Sequence, residues 1–348
     1  MILYIAELHN RMLQFQNISG LPDEVLAQTY GLKDKAGWSL TTARKRVQAD
    51  GNPQSKIHPI LYRPFDVRFI FYHEAVIERP RPEVMRHMLA GKNLGLLVMR
   101  QVALDEDYTH ALVTPYIIDN RVFASAKGIA LECPLYLYPS TTAPEMFQQS
   151  KTPNLAKGLL PKLSAAYGFI LTPEEILTYI YAVLYSPPYR ARYADVGANH
   201  DSPLRPFRQM AALGQELIDL HLLRKTVQVA GVRYQGQGSD TIERVRYEAA
   251  TGQVWINQDK YFENITPETW SYRIGGYQVL EKYLKDRKGR ALTDPIRYLH
   301  IAEAIAQTIA HQVQLNALYE AVEMAVMVPE SNRDSPVPTL WLEGGDAA

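Results

Sequence analysis

Apolar and polar positions alternate with changing period along the 348 residues, and the changes mark out the elements. Residues 1 to about 58 read as mixed helix, ending in the turn-rich Asp50-Gly-Asn-Pro-Gln-Ser55. From Leu61 the period shortens: Val67-Arg-Phe-Ile-Phe-Tyr72 and Leu94-Gly-Leu-Leu-Val-Met99 predict strands, with a helix over Glu83–Ala90 between them. Pro139 to Pro153, rich in Pro, Ser and Thr, predicts a boundary or long loop. Thr172-Pro-Glu-Glu175 is a capping box with proline at the first helical position, and Ile176, Leu177, Ile180, Tyr181 and Leu184 supply the apolar face behind it. A second helix is predicted over Gln209–Leu222. Thr241–Phe262 alternates like a hairpin, with Val245 and Tyr247 on one arm, Val254 and Ile256 on the other, and Thr251-Gly252 at the turn. The last helix begins at Asp294-Pro295 and repeats Ile301, Ile305, Ile309 and Val313 as a packing stripe.

These elements predict an α+β chain with a mixed, mostly antiparallel sheet, helices and a C-terminal helical part. Its expected parts are a helical linker or coupling segment (1–58), a first α/β part (59–150), a second part with helices, hairpin and basic stretch (151–327), and a flexible tail (328–348). Hydrophobic residues make up 47% and charged residues 21%, ordinary for a globular chain. The single cysteine, Cys133, excludes an internal disulfide and reads as a small buried thiol on a strand. No membrane span or signal peptide is expected, and the plain reading is a cytoplasmic protein.

Candidate chemistry is mostly excluded by inspection. There is no phosphate-cradling P-loop, no dinucleotide fingerprint and no zinc spacing. Ser186-Pro-Pro-Tyr189 resembles the tetrapeptide with which amino-methyltransferases grip a flipped base. It follows a helix instead of a strand, however, and two prolines are enough to stop that helix and turn the chain.

Lys plus Arg and Asp plus Glu number 37 each, so charge becomes informative only where it gathers. Between Ser271 and His300 stand Arg273, Lys282, Lys285, Arg287, Lys288, Arg290 and Arg297 against Glu281, Asp286 and Asp294. Seven cations less three anions leave an excess of four. Gly275-Gly276 reads as the opening of a helix whose backbone N–H groups suit a phosphate. Arg79 and Arg81 lie between prolines in a stiff loop, and Arg100-Gln101 directly follows an apolar strand. Arg pairs bidentately with guanine and Gln with adenine, so these four are candidate base readers. Arg63 and Arg68 are expected to brace Asp66 and the strand that follows it.

Taken in order, several of these segments resemble one family. Ile60-Leu-Tyr-Arg-Pro-Phe-Asp-Val-Arg68 is similar to the element that follows the catalytic part of adenine-specific methyltransferases in type ISP restriction-modification enzymes. The likeness continues through Arg79-Pro-Arg81, Asn93–Leu97, Arg100-Gln101, Cys133–Tyr138, Tyr179–Leu184, Tyr189-Arg-Ala-Arg-Tyr193, Ile274–Leu280 and Leu284–Arg290. The resemblance implies a C-terminal specificity region, or target recognition domain. Such a region chooses bases on double-stranded DNA for an adenine-specific methyltransferase domain or subunit and is non-catalytic by itself. The S-adenosylmethionine site, the catalytic Asn-Pro-Pro-Tyr, the motor and the nuclease of such enzymes are not found here, so the cofactor would be bound by a separate methyltransferase domain. Ser202-Pro-Leu-Arg-Pro-Phe207 also departs from the usual segment at that place. Two rivals are an active methyltransferase using Ser186–Tyr189 and an interaction scaffold whose basic stretch meets a protein.

Overall fold

The computed structural model describes residues 22–31, 33–34, 38–77, 80–102, 108–125, 127–139, 151–193, 207–225 and 231–326. The first 21 residues, Glu78 and Arg79, residues 140–150, Ser202 to Pro206 and the tail 328–348 lie outside them. Helices α1 (Asp23–Tyr30) and α2 (Leu40–Gln48) lead into an antiparallel pair, β1 (Ile57–Arg63) and β2 (Asp66–Phe71). Between the two strands, Phe65 takes a left-handed backbone at φ 62°, a conformation that bulky side chains rarely hold unless the surroundings fix it. After α3 (Pro82–Leu89), β3 (Gly95–Val98) lies between β4 (Ala111–Thr114) and β6 (Leu131–Pro134), while β5 (Ile117–Ile118) runs parallel to β1. The short strands β7 (Tyr136–Leu137) and β8 (Thr152–Pro153) pair across the Pro139–Pro153 stretch. Cys133 is half-buried on β6, and burial pushes its thiol pKa up.

A helical layer follows: α4 (Leu159–Tyr167), α5 (Pro173–Tyr185), α6 (Pro187–Tyr193) and α7 (Phe207–His221). The capping box forms as expected, Thr172 and Glu175 each satisfying the other's backbone N–H. Helix α5 crosses α7 at Gly214, where an added methyl would stand 1.8 Å from the Thr178 carbonyl oxygen. Only glycine admits so close a crossing. Ser186-Pro-Pro-Tyr189 makes the corner from α5 into α6. Ser186 is fully buried, and the Tyr189 ring stands against Tyr319 at 6.1 Å between centroids.

The C-terminal part holds a four-stranded antiparallel sheet in the order β10 (Arg246–Glu248), β11 (Gln253–Trp255), β12 (Lys260–Glu263), β9 (Arg233–Gly236). The expected hairpin is there, with Tyr247 opposite Val254 and Gly252 at φ 63°. Beyond it come α8 (Pro267–Ser271), the two-residue strands β13 (Arg273–Ile274) and β14 (Tyr277–Gln278), α9 (Val279–Lys285) and the long α10 (Pro295–Val326).

Helix α10 joins two cores. Ile301 and Ile305 pack with the C-terminal sheet, whereas Leu315 and Tyr319 pack with α5–α7. Val313 is 70% exposed, against the expected stripe. Each four-residue step overshoots a turn by about 40°, so Val313 stands about 120° from Ile301, while Thr308, Leu315 and Tyr319 return to its face. All three are buried.

Glu132 is 8% exposed on β6, opposite Leu97, and neither of its carboxyl oxygens has a partner among the described residues. It lies over Gly95, which has no Cβ to obstruct it. Burial pushes its pKa from the usual 4.5 up to about 8. The folded chain therefore keeps a proton that the unfolded chain releases. Below pH 4.5 both states hold it. Between 4.5 and about 8 folding weakens as pH rises, by at most about 1.4 kcal/mol per unit, and above that the loss is constant. Replacing Glu132 by Gln is expected to flatten this slope and to raise stability at pH 8 by about 2–4 kcal/mol. Urea melts from pH 4.5 to 8 measure both, and parallel slopes in the two proteins would refute it.

Candidate nucleic-acid interface

The turn between β1 and β2 carries the decisive geometry. Asp66 is 1% exposed and accepts hydrogen bonds from Arg68 at 2.8 and 3.1 Å and from Arg287 at 2.7 and 3.3 Å. Burial pushes the carboxyl pKa up, but Arg287 first and Arg68 second outweigh it and hold it below the usual carboxylate range. Next to it, Arg297 at the start of α10 donates to the Phe65 carbonyl at 3.0 Å. Arg68 thus braces Asp66 as expected. Arg63 does not: it reaches Asp119 at 2.9 Å and its own neighbour's carbonyl at Tyr62.

Arg287, a candidate cation of the basic stretch, has its guanidinium held by Asp66, the Tyr283 carbonyl and the face of the Tyr283 ring. The neighbouring cations stay at the surface. Lys282 pairs with Asp286 at 2.6 Å and Lys285 with Glu281 at 2.9 Å, both across one helical turn, and Lys288 is exposed. Arg290 is exposed and donates to the Asp286 carbonyl, and exposed Arg273 donates to Gly276.

Gly275-Gly276 closes the β13–β14 hairpin instead of opening a helix. Both residues have positive φ, 56° and 77°. The Gly275 N–H donates to Thr109 at 3.0 Å, and the Gly275 carbonyl accepts from Ala124. An added methyl on Gly275 would stand 2.1 Å from the Phe123 ring. The glycines thus serve a close internal approach, and the Gly275 N–H does not face outward to receive an anion.

The expected base readers sit at element ends. Arg79 lies outside the described residues. Arg81 stands at the N-cap of α3 with φ 51°, exposed, its guanidinium 3.8 Å from Glu83. Arg100 and Gln101 are both exposed just after β3, whose preceding Met99 is buried. A buried anchor followed by two exposed hydrogen-bonding side chains presents them to solvent from a fixed base.

The Asp66 brace also walls a groove of about 740 Å³ that sequence reasoning did not find. It opens between the β1–β2 turn, the end of β4, the end of α7 and the Arg290–Asp294 loop. Arg68, Arg224, Arg287, Arg290 and Arg297 line it, against Asp294 as the sole acidic lining residue among the described ones. Asp294 itself caps α10, accepting from the Arg297 N–H at 2.9 Å. The sequence signal for Arg224 was faint, two cations after the apolar end of α7, where Leu223 turns left-handed at φ 51°.

The model of the type ISP C-terminal specificity domain matches residues 5–311. The chain belongs to this family. No curated protein sequence matches the specificity domain significantly. Among solved structures it is similar to the ATP-dependent type ISP restriction-modification enzyme LlaBIII bound to DNA, at 17% identity and TM-score 0.61, covering 81% of this chain and 20% of that one. It is also similar to a nuclease-deletion mutant of the type ISP enzyme LlaGI in complex with a DNA substrate mimic, at 17% identity and TM-score 0.57, covering 80% and 26%. A DrdV–DNA complex matches at 19% identity and TM-score 0.63, covering 91% and 33%. The specificity domain therefore shares a fold with these proteins and spans a fifth to a third of their length. No described helix is long and apolar enough to cross a membrane.

Because Asp66 is buried, removing it leaves two half-buried guanidinium groups unanswered, whereas removing Arg287 leaves its charge to Arg68 alone. Asp66→Ala is expected to cost about 3 kcal/mol of stability, and Arg287→Ala somewhat less because Arg68 stays in place. The double variant should lose much less than the sum, since the charge and its partner leave together. Denaturant melts of the three variants test this, and strict additivity would contradict the pairing.

Proposed function

We propose that this specificity domain reads the base sequence of double-stranded DNA for a type ISP restriction-modification enzyme and is non-catalytic by itself. The observation that carries the reading is the family match over residues 5–311. The similar solved structures hold DNA or a DNA substrate mimic, which agrees with it. In this reading an adenine-specific methyltransferase domain or subunit of the same cytoplasmic system binds S-adenosylmethionine and performs the chemistry, and the specificity domain contributes target choice.

The division of labour follows from side-chain chemistry. Arg79, Arg81, Arg100 and Gln101 offer paired hydrogen bonds of the kind that distinguish base edges in the major groove. Arg273, Lys285, Lys288 and Arg290 offer exposed charge and Lys282 a half-buried one, of the kind that positions a phosphate backbone without reading it. The rival in which Ser186–Tyr189 grips a flipped adenine fits poorly, because Ser186 is 0% and Tyr189 3% exposed at a helix corner.

Two outcomes are expected when the domain works with its methyltransferase. Arg100→Ala should cost about 1–3 kcal/mol on the cognate site and relax discrimination at one base pair. The triple variant Lys282→Ala/Lys285→Ala/Lys288→Ala should weaken all sequences alike and shallow the slope of log K against log salt by about 0.9 per lost phosphate contact. Methylation of a randomised-site library, with salt titrations of binding, reads both. An unchanged recognition site in Arg100→Ala would refute the assignment of that loop to base reading.

A further inference from the structure

The arginine-lined groove has two kinds of surface that no duplex phosphate needs together. Five arginines line it: Arg68 and Arg287 are held by Asp66, Arg297 is half-buried, and Arg224 and Arg290 are exposed. The acids that neighbour them are engaged elsewhere as well: Asp66 answers two arginines, Asp286 pairs with Lys282, and Asp219 accepts from Gln215 besides standing 3.5 Å from Arg224. Arg297 is held by a neutral carbonyl, so its charge is not cancelled there. The lining between the arginines is apolar and incompletely covered: Val67, Phe69, Tyr116, Leu222 and Leu223 are all only half-buried.

A cation-rich lip calls for an anion, whereas half-buried aromatic and aliphatic lining calls for something flat and apolar. A bare phosphate leaves the lining wet, and an apolar ligand leaves the guanidinium groups unanswered. A nucleotide satisfies both: its phosphate takes the forked donors of arginine and its base lies against Phe69 or Tyr116. At about 740 Å³ the groove falls in the range of small-ligand pockets, roughly 300–1,000 Å³, large enough for one nucleotide.

Resting on the DNA-recognition reading, we propose that this groove between the β1–β2 turn and the start of α10 receives a single nucleotide displaced from a DNA strand. Its phosphate would meet Arg224, Arg290 and Arg297, and its base the apolar lining at Phe69 and Tyr116. Displacing a nucleotide from a stack is unfavourable and least so for one already unpaired. The groove should therefore favour DNA that carries an unpaired nucleotide over the same DNA fully paired.

The test uses the full chain with two fluorescent duplexes, one fully paired and one with a single bulged 2-aminopurine nucleotide. Wild type is expected to bind the bulged duplex about tenfold more tightly, with a change in 2-aminopurine emission. Arg224→Ala and Tyr116→Leu should each bring the ratio of the two affinities close to one. Deoxyadenosine monophosphate at millimolar concentration should erode the bulge preference and spare binding to the paired duplex. No preference in wild type, or a preference that survives both variants, overturns the proposal while the DNA reading stands. Failure of wild type to bind either duplex at any salt overturns the DNA reading itself. Tight binding of the free nucleotide without a bulge preference would make the groove a small-molecule site. Loss of methyltransferase association in the variants, with the bulge preference intact, would make it a protein dock. Either result overturns the proposal. Should a variant fold poorly, the emission change in wild type still decides between a nucleotide held in contact with the protein and one left in solvent.

Discussion

A buried carboxylate ties together segments 221 positions apart in this chain. Removing a charge from water costs several kcal/mol, so Asp66 can stay inside only while its guanidinium partners stay with it. One partner, Arg68, is two residues away on the same strand, and the other, Arg287, is 221 positions along the chain. The left-handed Phe65 beside it would be unfavourable alone. It persists because its ring is buried and its carbonyl is gripped by Arg297. Aspartate, phenylalanine and three arginines thus form one knot, and the groove exists because that knot fixes the first sheet against the start of α10.

Helix α10 distributes this constraint. Its first turns belong to the core around the C-terminal sheet and its later turns to the core around α5 and α7. Between them Thr308 meets His221 at 3.0 Å, and Tyr181 closes on the other nitrogen of the same ring at 2.5 Å. Burial pushes the His221 pKa down to about 3, so the ring is neutral at ordinary pH and acts as a polar fastener within an apolar region.

Much of this was legible where the physics is local. The Thr172 capping box, the Thr251-Gly252 turn and the proline start of α10 each depend on residues a few positions apart, and each forms. The family was legible because several short elements fall in one order, which no single one could have signalled. What depended on distant partners was not legible. Gly275-Gly276 followed by an apolar run fits a helix start or a hairpin equally well, and the choice was made by Phe123, Ala124 and Thr109, more than 150 residues earlier. Arg287 looks like its neighbours Lys285 and Lys288 in sequence, and only Asp66 separates it from them. The groove was invisible for the same reason, since its arginines come from β2, the end of α7, the end of α9 and the start of α10.

The boundary between Met99 and Arg100 has a consequence for how such a molecule can diversify. Met99 is buried, and the next two residues, Arg100 and Gln101, are exposed. Exchanges at exposed positions of this kind usually alter stability by no more than about 0.5 kcal/mol. Arg100 and Gln101 can therefore drift through many residue types while the scaffold that presents them stays the same. Asp66 has no such freedom, and a lineage descending from this chain would keep its knot long after its loops had ceased to resemble one another.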